Sequence, residues 1–150
     1  MGYMRHHAIV VTSWRTEPLP PFVRDRADHP TLVQVHGKAQ ELCGHLVSPI
    51  LGPFTNGYAS FFIAPDGSKE GWDESETGAA NRLAFLNWLR QFRFEDGSSY
   101  YDWVEVQFGD DEWETKVTAD SDSRLRAMAA EEAAEKAAAV KRGRTDDEQE

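Results

Sequence analysis

The chain has 150 residues, a single cysteine and a formal net charge of -10, which makes one domain with one core the expectation and excludes an intrachain disulfide or a multi-thiolate zinc site. Acid exceeds base on both sides of residue 118, with 17 Asp/Glu against 10 Lys/Arg before it and 9 against 6 after it. A dedicated DNA or RNA binder, which depends on neutralising phosphates, is therefore not expected.

The run His7 to Ser13 (HAIVVTS) reads as a strand central in a sheet or covered on both faces. Its apolar part, Ala8 to Val11, is too short for a signal-peptide core or a membrane span, and with the lone Cys43 this points to a reducing cytoplasm. Residues 15–30 hold Pro18, Pro20, Pro21 and Pro30, a surface excursion without regular structure. Pro30 at a first helical position, Leu32, Val35, Ala39 and Leu42 at helical spacing, and Gly44 as C-cap predict a helix. Leu46–Leu51 and Tyr58–Ala64 read as a hairpin whose Asn56-Gly57 pair tolerates positive φ.

A long polar loop follows Pro65-Asp66-Gly67, and a helix with Leu83, Phe85, Leu86, Leu89 and Phe92 inward is predicted from a cap near Thr77 over Ala79–Arg93. Trp103–Phe108 and Glu112–Val117 alternate on either side of a Gly109-Asp110-Asp111 turn, a second hairpin. The order β-α-β-β-α-β-β predicts an α+β fold, a ferredoxin-like split βαββαβ with an added C-terminal strand. Residues 1–118 form this domain, and 119–150 an Ala- and charge-rich acidic tail, helical over Ser123–Arg142 with little to bury and disordered over Thr145–Glu150.

No catalytic set emerges. His6 and His7 alternate faces, and His29, His36 and His45 are scattered, so neither a metal site nor a cofactor is expected. Cys43 reads as a small core residue, and no Gly-x-Ser-x-Gly or Ser-x-x-Lys motif is present. The loop around Asp66, Ser68, Lys69 and Trp72 concentrates polar groups, glycines and an aromatic, and is the candidate ligand or partner site. Gly67-Ser68-Lys69 offers N–H groups and a cation to a phosphate, and Trp72 a stacking surface. The weightier reading is a compact surface loop with Trp72 tucked onto the core. Trp14 and Arg15 stand at a strand end where such sheets leave a cleft. Asp110, Asp111, Glu112 and Glu114 form an acidic surface on the second hairpin; charge there deters edge-to-edge pairing or docks a basic partner.

The blocks Arg5–Ser13, Asn56–Tyr58, Ser60–Trp72, Asp96–Ser99 and Asp102–Val106 resemble a group of small hypothetical proteins of actinobacterial phages and their relatives. The resemblance covers most of residues 5–108 and implies a phage origin, hence host cytoplasm, with no assigned activity and no catalytic residue to carry over. The leading expectation is a non-catalytic binding or accessory protein that engages a basic host protein through its acidic surface, with no membrane and with a homodimer compatible. The alternative is a protein that sequesters a nucleotide or nucleotide-derived signal at the 65–72 loop, and the third reading an unrecognised small hydrolase.

Overall fold

The structure, a computed structural model, describes residues 4–14, 16, 29–109 and 114–147. Most of the expected proline-rich excursion, including Arg15, lies outside these residues, as do Asp110, Asp111 and Glu112. The order is β1 (His6–Ser13), α1 (Leu32–Cys43), β2 (Ala59–Ile63), α2 (Asp73–Leu89), β3 (Asp102–Phe108), β4 (Lys116–Asp120) and α3 (Ser123–Asp147). The architecture is α+β: one four-stranded antiparallel sheet in the order β2-β1-β3-β4, with α1 and α2 packed on one of its faces.

β1 is central, as its apolar run implies, but among the described residues the helices cover only one of its faces. Ile9 and Val11 are fully buried against Ile63 and Phe61 of β2, and Trp103 of β3 stands opposite Val11. Val10, between them, retains 39% of its surface. Register places Val10 beside Phe62 and Val104 on the opposite face, where neither α1 nor α2 lies.

α1 starts two residues later than Pro30 suggests because Thr31 makes a capping box. Its hydroxyl accepts the Gln34 N–H at 3.3 Å, and the Gln34 side chain accepts the Thr31 N–H at 2.8 Å, so two end donors are satisfied together. Leu32, Val35, Ala39 and Cys43 then form its buried stripe.

Three expected elements differ. The strand over 46–51 is reduced to single bridges, Val47 to Ile63 and Leu51 to Ser60. Four residue steps on one side oppose three on the other, and Pro49 has no N–H to give a ladder. The Asn56-Gly57 pair does take positive φ, 58° and 76°. α2 begins at Asp73 and not near Ala79; Asp73, Glu74 and Glu76 occupy its first turn, where the helix dipole favours acid. It ends at Leu89, and Leu83, expected inward, is exposed.

β4 runs over Lys116–Asp120, past the expected end at Val117, while Glu112 and Trp113 of the expected strand lie outside the described residues. The pairing shifts between Glu105 and Val106, where an extra residue, Thr118, is accommodated. The folded unit thus runs past residue 118. Asp120 and Ser121 are buried, and the Ser121 N–H donates to the Trp103 carbonyl at 3.0 Å while its hydroxyl accepts the Trp103 N–H at 3.2 Å. α3 extends to Asp147, through residues 145–147 that were expected to be disordered, and residues 130–143 are exposed throughout.

Deleting residues 130–150 should therefore leave the melting temperature within about 2 °C of the intact protein, the scale of a surface change. Deletion from residue 119 onward should lower it by about 5 °C or more through loss of the Trp103–Ser121 pairing. Thermal unfolding by circular dichroism checks both.

Candidate functional site

The loop between β2 and α2 is organised by its own side chains. Asp66 Oδ1 accepts hydrogen bonds from the Ser68 N–H at 2.8 Å and the Ser68 hydroxyl at 2.6 Å, a turn type that Asp and Ser favour. Burial raises the Asp66 carboxyl pKa, but the Ser68 hydrogen bonds and the nearby Arg82 outweigh it, and the net shift is downward. The Lys69 ammonium lies 5.4 Å from the centre of the Trp72 ring, a cation–π distance. Trp72 is 51% exposed, so it covers Lys69 and does not tuck onto the core. Ser68 thus serves Asp66, and Lys69 serves Trp72.

The loop's two acids reach elsewhere. Glu70 pairs with Arg5 at the start of β1, and Asp66 Oδ2 stands 3.9 Å from Arg82 Nη1 on α2. That approach uses Gly78: a Cβ there would lie 2.2 Å from Asp66 Oδ2, so the helix tolerates a glycine where the carboxylate comes in.

These contacts lead to a cavity of about 350 Å³ on the helix-covered face of the sheet, lined by Arg5, His7, Arg82, Arg90, Glu105 and Thr118. Arg82 Nε is 3.7 Å from Glu105 Oε2, and the Thr118 hydroxyl donates to Glu105 at 2.7 Å. Arg90 lies 5.3 Å from the centre of the Trp103 ring and donates to Asn87 at 3.0 Å. Burial, followed by the Arg82 charge, lowers the His7 pKa.

Trp14 stands at the other end of β1, half exposed, with its carbonyl near Gly57, and it does not join the loop. Glu114 is exposed, whereas the remainder of the expected acidic surface, Asp110, Asp111 and Glu112, and also Arg15, fall outside the described residues. Comparison with protein-family models, with curated proteins and with solved structures gave no match.

A second concavity, also about 350 Å³, opens on the uncovered face of the sheet. Val10, Val104 and Val117 contribute to its lining together with Asp102, Asp120 and Asp122. Phe62 and Phe108 are exposed on the same face. Cys43 is buried, and burial raises its thiol pKa, which disfavours the nucleophilic thiolate. Among the described residues no group of three His, Cys, Asp or Glu side chains is placed to hold a metal ion.

Sequence reasoning missed the arginine-lined cavity because its residues come from β1, α2, β3 and β4. The available signal was the alternation of Arg5 and His7, which puts both on one face of the strand, together with Arg82 and Arg90 two turns apart on α2.

Two measurements follow. Trp72→Ala should change the unfolding free energy by less than about 0.5 kcal/mol, as for a surface substitution; a core position would cost about 3 to 5 kcal/mol. His7 faces Arg82 on α2, Glu105 on β3, Arg5 just before β1 and Glu70 on the loop. With its pKa lowered in the folded protein, the unfolded chain takes up the proton first as pH falls. Stability relative to His7→Gln should therefore be constant above about pH 7 and decline as pH drops below about 6.5, read from urea midpoints across that range.

Proposed function

We propose that this is a non-catalytic binding protein that docks a basic partner on the open face of its sheet. The observation that carries the reading is the combination on that face of exposed Val10, Phe62, Phe108 and Val117 with a cleft walled by Asp102, Asp120 and Asp122. Exposed contiguous apolar surface edged by polar groups is the usual mark of an interaction site. Carboxylates beside it select for Lys or Arg and against acidic competitors.

Apolar exposure continues toward one end of the sheet. Leu51, bridged to Ser60, is exposed, as are Phe54, Tyr58 and Trp14. Trp14 thereby returns as a partner-contact candidate, at the docking face and not at the loop. The exposed Glu114 adds negative charge to the segment that precedes β4.

On the same reading the fold is a ferredoxin-like split βαββαβ. The 47–51 segment stands for the second strand at the β2 edge, and β4 is the added strand beside β3. The buried single thiol suits a reducing cytoplasm. The likeness to actinobacterial phage proteins makes an actinobacterial lysate the source in which to seek the partner.

Three immobilised baits test this: the intact chain, Phe62→Ser with Val117→Ser, and Asp102→Asn with Asp122→Asn. The intact chain should retain basic proteins in a salt-sensitive manner, and each double variant should retain them at least about tenfold less. Equal capture by all three baits would remove the reading.

A further inference from the structure

We propose that the cavity between α2 and the β3–β4 edge binds a small phosphomonoester, at a site separate from the docking face. The two surfaces lie on opposite sides of the sheet. Glu105 and Ala119 are register partners on the helix side and line this cavity, whereas Val10 and Val104 are partners on the open side.

The charge distribution is the first argument. In a chain with 10 Lys/Arg against 17 Asp/Glu up to residue 118, three arginines, Arg5, Arg82 and Arg90, line one cavity in which Glu105 is the single lining carboxylate. Guanidinium groups brought together repel one another unless negative charge offsets them. Asp66 and Glu70 from the loop and Glu105 in the lining engage Arg5 and Arg82. The Arg90 guanidinium, in contrast, makes no ion pair among the described residues and meets Asn87 and the Trp103 ring, which leaves its charge to an incoming anion.

Arg82 is the second argument. Its side chain is 11% exposed, and its nearest carboxylate oxygens, at 3.7 and 3.9 Å, stand beyond direct hydrogen-bond length. A mostly buried guanidinium is thus held by ion pairing at a distance, oriented from both sides, with its planar fork suited to a phosphate's paired oxygens. The Thr118 hydroxyl and the His7 ring add polar groups from β4 and β1.

Size and apolar lining narrow the ligand. Ala79, Leu83, Leu86 and Ala119 form a carbon wall, fitting a ligand with an apolar portion as well as a charged one. About 350 Å³ is near the small end of ligand sites, which suits a phosphomonoester of sugar or mononucleotide size and excludes a dinucleotide. The loop contributes by orienting arginines through Asp66 and Glu70, in place of offering Ser68 and Lys69 to the ligand.

Isothermal titration of the full chain with inorganic phosphate, a set of sugar and nucleoside monophosphates, and a dicarboxylate of similar size tests the proposal. At least one monophosphate should bind saturably with one site per chain, more tightly than inorganic phosphate and more weakly as salt rises. Arg90→Gln and Arg82→Gln should each weaken it by at least about tenfold. Because Arg82→Gln leaves Asp66 and Glu105 without their cation, Leu83→Trp is the companion variant: it fills the rim from an exposed helix position and should abolish binding without altering charge. Phe62→Ser should bind the monophosphate as the intact chain does, which separates this site from the docking face. A flat response to phosphate and every monophosphate, or binding undiminished in both Arg90→Gln and Leu83→Trp, would overturn the proposal. So would a preference for the dicarboxylate.

Discussion

A sheet with α1 and α2 packed on the same face is the constraint from which the other features follow. β1 is hydrogen-bonded on both edges, to β2 and β3, yet its side chains meet two different environments. Ile9 and Val11 enter a core with Leu32, Val35, Phe85 and Leu89 of the two helices. Each side chain fully removed from water there contributes about 1.5–3 kcal/mol, and six such residues outweigh any surface term. The alternate residues receive no such cover, and the sequence nevertheless keeps them apolar: Val10, Phe62, Val104 and Val117. An antiparallel sheet face left to water commonly alternates to polar residues.

On the covered side, the helices close over the centre of the sheet but leave the β3–β4 edge to α2 alone. The gap is framed by charge. Arg82 projects from α2 between Asp66 of the loop and Glu105 of β3, and so ties three elements that are distant in sequence. Glu105 is held in turn by Thr118, the extra residue of the β3–β4 pairing shift. Irregularity in the ladder and absence of a side chain at Gly78 both serve this arrangement, the first by turning Thr118 toward Glu105 and the second by admitting Asp66.

The parts of the fold legible in the sequence were those set by local periodicity and chain punctuation. α1 could be read from Leu32, Val35 and Ala39 at helical spacing, and β1 from its β-branched run. The parts that were not legible depend on pairing. Residues 46–51 have strand composition, but Pro49 interrupts the donor row and only two bridges form. The position of β4 depends on a shift opposite Glu105 that no property of residues 112–120 announces. The 65–72 loop was recognisable as unusual, although its role was not: Ser68 and Lys69 turn to their own neighbours, while Asp66 and Glu70 act on arginines 16 and 65 positions away. Charge networks of this kind carry no sequence period, and so composition alone hid an arginine-lined cavity inside an acidic chain.

Thiol labelling along β1 distinguishes the sealed face of the sheet from the open one. In a Cys43→Ser background, Val10→Cys and Val11→Cys differ by one residue and by 39% against 0% exposure of the parent side chain. Val10→Cys should react with a thiol reagent at close to the rate of an unstructured peptide, and Val11→Cys only as fast as the protein unfolds. Equal protection of both thiols in the isolated protein would mean that the open face is already covered and would overturn the docking reading.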